Sequence, residues 1–355
     1  MDNCGLVTDV IYVHLADKPY GNAGSFMDFL IDWLHHIWDL LQVTGWWILF
    51  GLALSAVMQA VLPQGVWKLR GIAAVSAAVI GGTLLPMCNF GIVPLAFGIW
   101  QTSGNMAAAL AFFNAAVLLN PAALLLGFGF MGPVLTMAYG AAALAAAVLT
   151  GLLAMRLCPC GEGTGRCRLG DALRQSFLQD GPRLALWICI GIAAQGGLMA
   201  LFPASVYRAV LLDPTGASVM EAVAMAILRH VCIPDDLSLV ASLVASGLAP
   251  GSALLFLLLG VVTNLPDLLT LGGMAGKKAA ALFAGLTALC STAMWGILRL
   301  LVEPGFLPRF NLAGTEIYTL WANRLSIGTW MPARLSCALL LLAMGLYGFR
   351  KRNKF

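Results

Sequence analysis

Two cysteines lie in segments whose composition interrupts a membrane helix. Residues 84–98 read LLPMCNFGIVPLAFG, so Cys88 has prolines and a glycine close by in an apolar stretch, and Cys232 lies in a similar context, RHVCIPDD. Thiolates are soft ligands that favour Cu(I), Zn and similar ions. If the two segments meet, the thiols form a two-coordinate site for a soft cation, with Asn89 and Asn114 nearby. Otherwise each thiol packs as a small apolar side chain.

Three carboxylates lie in predicted membrane segments. Asp235 and Asp236 follow a proline, and Asp267 lies in TNLPDLLTL. A charge at the centre of a membrane helix costs about 2.5–3.5 kcal/mol even on the lenient insertion scale, so it is usually kept for function. A desolvated carboxyl exchanges its proton nearer to neutral pH, which suits proton coupling in antiport. The alternatives are a site for a harder cation or a location near water for the adjacent pair, and a helix cap for Asp267.

Two asparagines precede prolines at matching places in the chain, in Asn120-Pro and Asn264-Leu-Pro. A proline inside a helix leaves a backbone carbonyl without its donor, and a nearby amide can satisfy it. The same amide can instead contact a substrate. The sequence predicts a helix break at both sites and leaves the two roles open.

The loop CPCGEGTGRC contains three thiols, those of Cys158, Cys160 and Cys167. Three thiols so close together can take up a metal before transport. Their spacing is not a standard zinc-finger pattern, so a flexible reduced loop is the alternative.

Composition requires that membrane helices position these residues. Of 355 residues, 60% are hydrophobic and only 10% are charged, whereas soluble domains are about 25% charged. About 20 apolar residues span the bilayer core. The predicted spans lie near 45–62, 105–126, 133–155, 183–203, 250–271, 279–302 and 331–349, and two further apolar stretches, 71–100 and 219–246, are interrupted by Pro, Gly and polar residues.

The distribution of basic residues predicts the topology. The tail RKRNKF and the central loop are rich in Lys and Arg, which places both in the cytoplasm, and the acidic N-terminal segment outside. This assignment holds only if the interrupted stretches 71–100 and 219–246 each return to the side from which they came. Backbone of this kind is tolerated at membrane depth when it is buried in protein or lines a wet cavity. Residues 26–42 read as an outer amphipathic helix at the interface.

The two halves of the chain align without a gap. Cys88 pairs with Cys232 and Asn120 with Asn264, because both pairs are separated by the same interval. We therefore predict an all-α polytopic membrane protein with about seven full spans and two re-entrant or broken-helix hairpins in an inverted repeat. Its predicted segments are an outer N-terminal segment (1–44), a first repeat (45–155), a cytoplasmic Cys-rich loop (156–182), a second repeat (183–302), an outer loop (303–330) and a last span with a basic tail (331–355).

At this point the motifs are similar to those of a known family. PMCNFGIVP resembles P-L-C-S-C-G-x-x-P of the predicted permeases that include the organoarsenical efflux permease, with Asn89 in place of the serine and Phe90 in place of the second cysteine. The segment from Cys232 to Asn264 resembles the second signature of that family. The likeness runs from about residue 26 to 302, and the Cys-rich loop is most similar to the copper/zinc efflux branch. It implies efflux of a soft metal or metalloid.

The sequence thus predicts a secondary-active permease in a bacterial cytoplasmic membrane. Its partners are the lipid bilayer and a small inorganic or organometal substrate, and no nucleic acid, cofactor or oligomeric state is indicated. No P-loop motif is present, and the side chains of Asp235 and Asp236 diverge on a helix, so neither ATP hydrolysis nor another enzyme is predicted. The alternatives are a permease for another small solute or harder cation, and a non-transporting membrane sensor or partner with the same fold.

Overall fold

In the computed structural model the described residues form helices, with no strand among them. These residues are 26–130, 132–158, 160–201, 237, 250–260, 264–301 and 331–352. The calls on Cys232, Asp235, Asp236, the second interrupted stretch and the loop 303–330 fall outside them. The helices are α1 (Phe26–Val61), α2 (Gln64–Trp67), α3 (Gly71–Thr83), α4 (Asn89–Ser103), α5 (Met106–Leu118), α6 (Pro121–Phe130), α7 (Gly132–Leu157), α8 (Leu169–Arg174), α9 (Gly181–Leu201), α10 (Pro250–Gly260), α11 (Leu265–Ala275), α12 (Lys277–Leu301) and α13 (Met331–Arg352), with a π-helical turn (Gln175–Asp180) before α9.

Apolar length supports a polytopic membrane protein. Among the described residues, five stretches are long and apolar enough to cross a bilayer. The predicted spans near 183–203 and 331–349 correspond to α9 and α13, which have 21 and 22 residues but do not belong to this set. The five stretches are Phe29–Val61, Met106–Gly129, Gly132–Leu157, Leu254–Ala275 and Lys277–Ile297.

The N-terminal interfacial helix that the sequence indicated is not a separate element. It is continuous with the first span in α1, whose 36 residues extend about 54 Å, well beyond a hydrocarbon core of about 30 Å. The Trp33 indole donates to Ala193 O at 2.7 Å, so the first turns of α1 pack against α9. Gly45 does not interrupt the helix but allows a close approach, since a Cβ there would lie 3.2 Å from Ala338 N in α13.

The interrupted stretch 71–100 is a re-entrant hairpin, as the sequence predicted. Its arms α3 and α4 are joined by an irregular link, residues 84–88. Both arms have an end beside the loop 160–168: Gly161 N donates to Gly104 O after α4, and Arg166 Nε donates to Ala60 O of α1, shortly before α3 begins. We call this end of the bundle the loop end. The two arms are splayed, because α3 packs on α5 and α4 packs on α1.

The internal repeat is present in the helix boundaries. An offset of 144 residues superimposes α5 on α10, α6 on α11 and α7 on α12 to within two residues at each end. Even the left-handed glycines correspond, Gly132 at φ 75° and Gly276 at φ 100°.

The two repeats run in opposite directions. Helix α7 leads straight into the loop, so it finishes at the loop end. Helix α12 begins there, because Gly273 in the last turns of α11 accepts a hydrogen bond from Arg183 at the start of α9. The repeat is therefore inverted, as predicted.

Two apolar clusters hold the bundle together. The larger surrounds α5, all of whose residues are buried, and draws on α3, α4, α7, α10 and α12. A helix that is hydrophobic all round is typical of such a central position. The smaller cluster joins α1, α4, α9 and α13. Helix α4 contributes to both clusters, and the candidate site lies beside it.

Candidate functional site

The break between α5 and α6 is stabilised by one side chain. The Asn120 amide oxygen accepts from Ala122 N at 2.9 Å, and its amide nitrogen donates to Met87 O at 2.8 Å in the hairpin link. Pro121 begins α6, where the missing N–H has no intrahelical partner to lose. Both polar atoms of the Asn120 amide are thus used in supporting the break, the first of its two predicted roles.

The break between α10 and α11 has the same cap. Asn264 is fully buried, and its amide oxygen accepts from Asp267 N at 3.3 Å. Pro266 lies in the first turn of α11. The predicted symmetry of the two breaks is therefore a symmetry of capping.

Asp267 lies one turn beyond this cap and has no comparable support. Its side chain is only 4% exposed. The Asn264 side chain interacts with the carboxyl, but within the described part of the chain neither carboxyl oxygen has a partner in good hydrogen-bond geometry. It lines a cavity of about 50 Å³, enough for a few water molecules. The cavity lies between α4 and α5 of the first repeat and α11 and α12 of the second. We call it the Asp267 cavity.

Three helices line the Asp267 cavity with residues at the same sequence spacing. Each contributes residues at i, i+3, i+4 and i+7, which form one face of a helix. The residues are Val93, Ala96, Phe97 and Trp100 from α4, Met106, Ala109, Leu110 and Phe113 from α5, and Asp267, Thr270, Leu271 and Met274 from α11, with Phe283 from α12 closing the set.

The walls are aromatic and thioether groups. Phe113 and Phe283 meet edge to face with ring centroids 5.5 Å apart, and Phe97 and Trp100 do so at 5.6 Å. Ring faces attract cations, and methionine sulfur is polarisable. A buried carboxylate is stabilised by a proton, a water molecule or a cation. Chemically, the cavity suits a proton or a small, soft, positively charged species.

The hairpin residues predicted for the site lie elsewhere. Cys88 is the N-cap residue of α4 and is half-buried, while Asn89 and Asn114 are buried. None of these three lines the Asp267 cavity. Asn114 donates to Thr287 Oγ1 at 3.4 Å and so joins α5 to α12 across the repeats.

Phe90 explains why a second thiol is absent from the hairpin. It stands where the resembling motif has a cysteine, yet its side chain is 1% exposed and belongs to the smaller apolar cluster. The Phe90 ring packs between helices, where an aromatic side chain is stabilising.

The three loop thiols are not gathered. Cys160 is exposed, whereas Cys158 and Cys167 are half-buried, and no three Cys, His, Asp or Glu residues form a metal-binding group in the described part of the chain. Burial raises the pKa of both half-buried thiols, and for Cys167 the nearby Asp171 carboxylate raises the pKa further. Metal uptake by this loop stays a prediction.

The loop is instead docked by its backbone. Besides the Gly161 bond, Thr164 N donates to Gln101 O and Gly165 N to Thr102 O, each at 3.0 Å. A Cβ on Gly163 would overlap Thr102 O, so only glycine permits this approach. The contacts begin one residue beyond Trp100, and the loop therefore covers the loop end beside the Asp267 cavity.

Of the residues around the Asp267 cavity, the sequence identified only Asp267. The apolar lining follows helical spacing, but in an oily helix such spacing is also that of ordinary packing. The glycines of the loop were a usable signal for close backbone approach.

Two inverted repeats with broken helices and a buried carboxylate between them define the class of protein: a membrane transporter. A family model described as a predicted permease, ArsP_1, matches residues 32–163 and 171–299. The chain belongs to this predicted permease family, as its motifs suggested. No curated protein and no solved structure is significantly similar to the chain.

Proposed function

We propose that the protein is a secondary-active permease that exports a small soft metal or metalloid species, with Asp267 as the proton-coupling group. The observation that supports this most is the buried Asp267 carboxyl in a cavity between the two repeats. A group of this kind is expensive in a membrane and is kept for function. The direction and the soft substrate rest on the family resemblance.

The location of the site between the two repeats supports alternating access. In inverted-repeat transporters the halves rock around a site at their interface. The walls of the Asp267 cavity come from both repeats, so such a movement would open it to one side and then the other. A protonated Asp267 leaves the cavity neutral, and an ionised Asp267 attracts a cation. Exchange of the proton for the substrate gives the coupling of an antiporter.

Cys88 has a separate place in the proposal. It is the described half of the predicted two-thiol site, at the start of the arm whose later turns line the Asp267 cavity. We propose that the thiol receives the soft species after it has passed Asp267, because Cys88 lies at the end of α4 that is farther from the loop end. Basic residues at the loop end support a cytoplasmic location for that end in a bacterial membrane, and in this proposal export begins there.

Transport of defined probes tests the proposal. Purified protein in proteoliposomes would be supplied with Cu(I), Zn(II) or a trivalent arsenical, with a pH dye inside. Asp267→Asn removes only the titratable charge, and we expect at least about a tenfold loss of both probe and proton movement, the effect of about 1.4 kcal/mol. Asp171→Asn is the matched control, because Asp171 is exposed on the loop side.

Two results would contradict the proposed transport mechanism. Unchanged probe and proton fluxes in Asp267→Asn would remove Asp267 from the mechanism. Fluxes that survive in Asp267→Asn and in the combined Cys88→Ser and Cys232→Ser variant would remove the soft-metal site as well. A preference for a harder divalent cation, lost only in Asp267→Asn, would favour the second candidate, a carboxylate-bound harder cation.

A further inference from the structure

A second cavity lies at the loop end, away from the Asp267 cavity. Its volume is about 450 Å³. It is formed where the start of α9, the end of α11 and the end of α13 meet. The lining residues are Gln179, Pro182, Arg183, Leu186, Trp187, Gly273, Gly348 and Lys351, and we call this cavity the basic groove.

Close helix approach creates the basic groove. A Cβ on Gly273 would overlap the Trp187 indole, and a Cβ on Gly348 would overlap Pro182 O. Gly348 therefore lets α13 approach the backbone of α9, and Gly273 leaves room for the Trp187 indole against α11.

Among the described residues, two cations line the basic groove and no acidic side chain does. Arg183 donates one N–H to Gly273 O at 2.9 Å, which fixes its guanidinium and leaves further donors. Lys351 lies in the last turn of α13, and its side chain is exposed. The acid that interacts with Arg183 is Asp180, but this carboxylate accepts from the Gln101 amide at 3.1 Å and does not line the groove.

The surface beside the groove is apolar. Leu178 precedes the lining residue Gln179 and is 61% exposed, and Phe349 follows Gly348 and is 52% exposed. Trp187, in the groove wall, is a residue type favoured at the level of lipid headgroups. An anion with a hydrocarbon tail matches this combination, whereas a free inorganic anion would use only the cations.

We propose that the basic groove binds the phosphate group of an anionic membrane lipid between Arg183 and Lys351. The acyl chains would lie along the exposed leucine and phenylalanine side chains. Basic pockets between membrane helices are suited to such headgroups. The site is independent of the transport proposal, because none of its residues lines the Asp267 cavity.

Lipid retention tests the site. Full-length protein would be purified in detergent, incubated with phosphatidylglycerol or phosphatidylcholine, and examined by native mass spectrometry. We expect wild type to retain phosphatidylglycerol preferentially. Combined Arg183→Gln and Lys351→Gln should lower that affinity about thirtyfold, from about 1 kcal/mol per basic residue. Arg168→Gln with Arg174→Gln, both exposed, removes the same charge elsewhere and should leave it unchanged.

Three outcomes would overturn the proposal. These are equal retention of the two lipids by wild type, an equal loss in both pairs of variants, and displacement of phosphatidylglycerol by millimolar inorganic phosphate. The last would identify a soluble-anion site instead. Lys351→Gln alone guards against misfolding, because its exposed side chain can be changed without disturbing packing. It should still lower phosphatidylglycerol affinity about fivefold.

Discussion

The two helix breaks are capped alike, but the residue three positions after the asparagine is a carboxylic acid in only one of them. In each, an asparagine caps the second half-helix and a proline lies in its first turn. Three residues after the asparagine, the first break has Ala123 and the second has Asp267. Ala123 is 3% exposed and belongs to the larger apolar cluster, whereas Asp267 lines the cavity between the repeats.

The comparison separates architecture from function. Capping is repeated because every broken helix leaves backbone donors without partners. The carboxylate is not repeated, so the fold does not require it. An inverted repeat can thus keep its scaffold symmetric while one half alone supplies the charge.

The largest effect is expected when the carboxylate of the second break is introduced at the matching position of the first. Ala123→Asp would bury a carboxylate in close-packed apolar surroundings, and we expect a loss of about 3 kcal/mol or more in unfolding free energy. Thermal unfolding in detergent, followed by size-exclusion chromatography, measures this. Asp267→Asn in the same assay should leave the midpoint unchanged or raised. A well-folded Ala123→Asp protein would show that both breaks accept a charge.

Removal of a cap has a smaller effect. Asn120→Ala leaves Met87 O and Ala122 N without their buried partner, and we expect a loss of about 1–3 kcal/mol. Asn120→Ser restores an acceptor for Ala122 N but does not reach Met87 O, so its stability should be intermediate. Thermal midpoints of the three proteins measure the order. Equal midpoints for Asn120→Ala and wild type would contradict the capping role.

The smallest effect is expected at the glycine that follows a broken helix. Gly276 has φ 100° with no atom near the place of a Cβ, so Gly276→Ala is strained by backbone conformation alone and should cost about 1 kcal/mol. Gly285→Ala is the control, because Gly285 is helical with open space around it. That change should stabilise slightly through helix propensity. Equal thermal midpoints for Gly276→Ala and Gly285→Ala would show that the left-handed conformation of Gly276 is not needed.

Much of the scaffold could be predicted because it follows from local chemistry. Prolines and asparagines marked the breaks, and the parity of charged loops required the re-entrant hairpin at 71–100. The joining of residues 26–42 to the first span could not be predicted, because their amphipathic pattern is typical of an interfacial helix and only the tertiary structure shows that α9 packs against them.

The site was predictable only in part, for a physical reason. A carboxylate in an apolar segment is conspicuous, so Asp267 was found. Trp100, Met106 and Met274 have the residue types of any membrane helix, and only tertiary packing makes them the wall of a cavity. The predicted site around Cys88, Asn89 and Asn114 stays a prediction, because its other half at Cys232 lies outside the described residues.

The docking of the loop determines what can move. Its backbone is fastened to residues 101–104 at the end of α4, and further along the chain Gln175 and Asp180 both bond to the Gln101 side chain. The segment that links the two repeats is therefore held to the first repeat by hydrogen bonds. Gly181, at the start of α9, is the first residue past these fastenings. A swing of one repeat against the other would therefore leave the chain up to Asp180 with the first repeat.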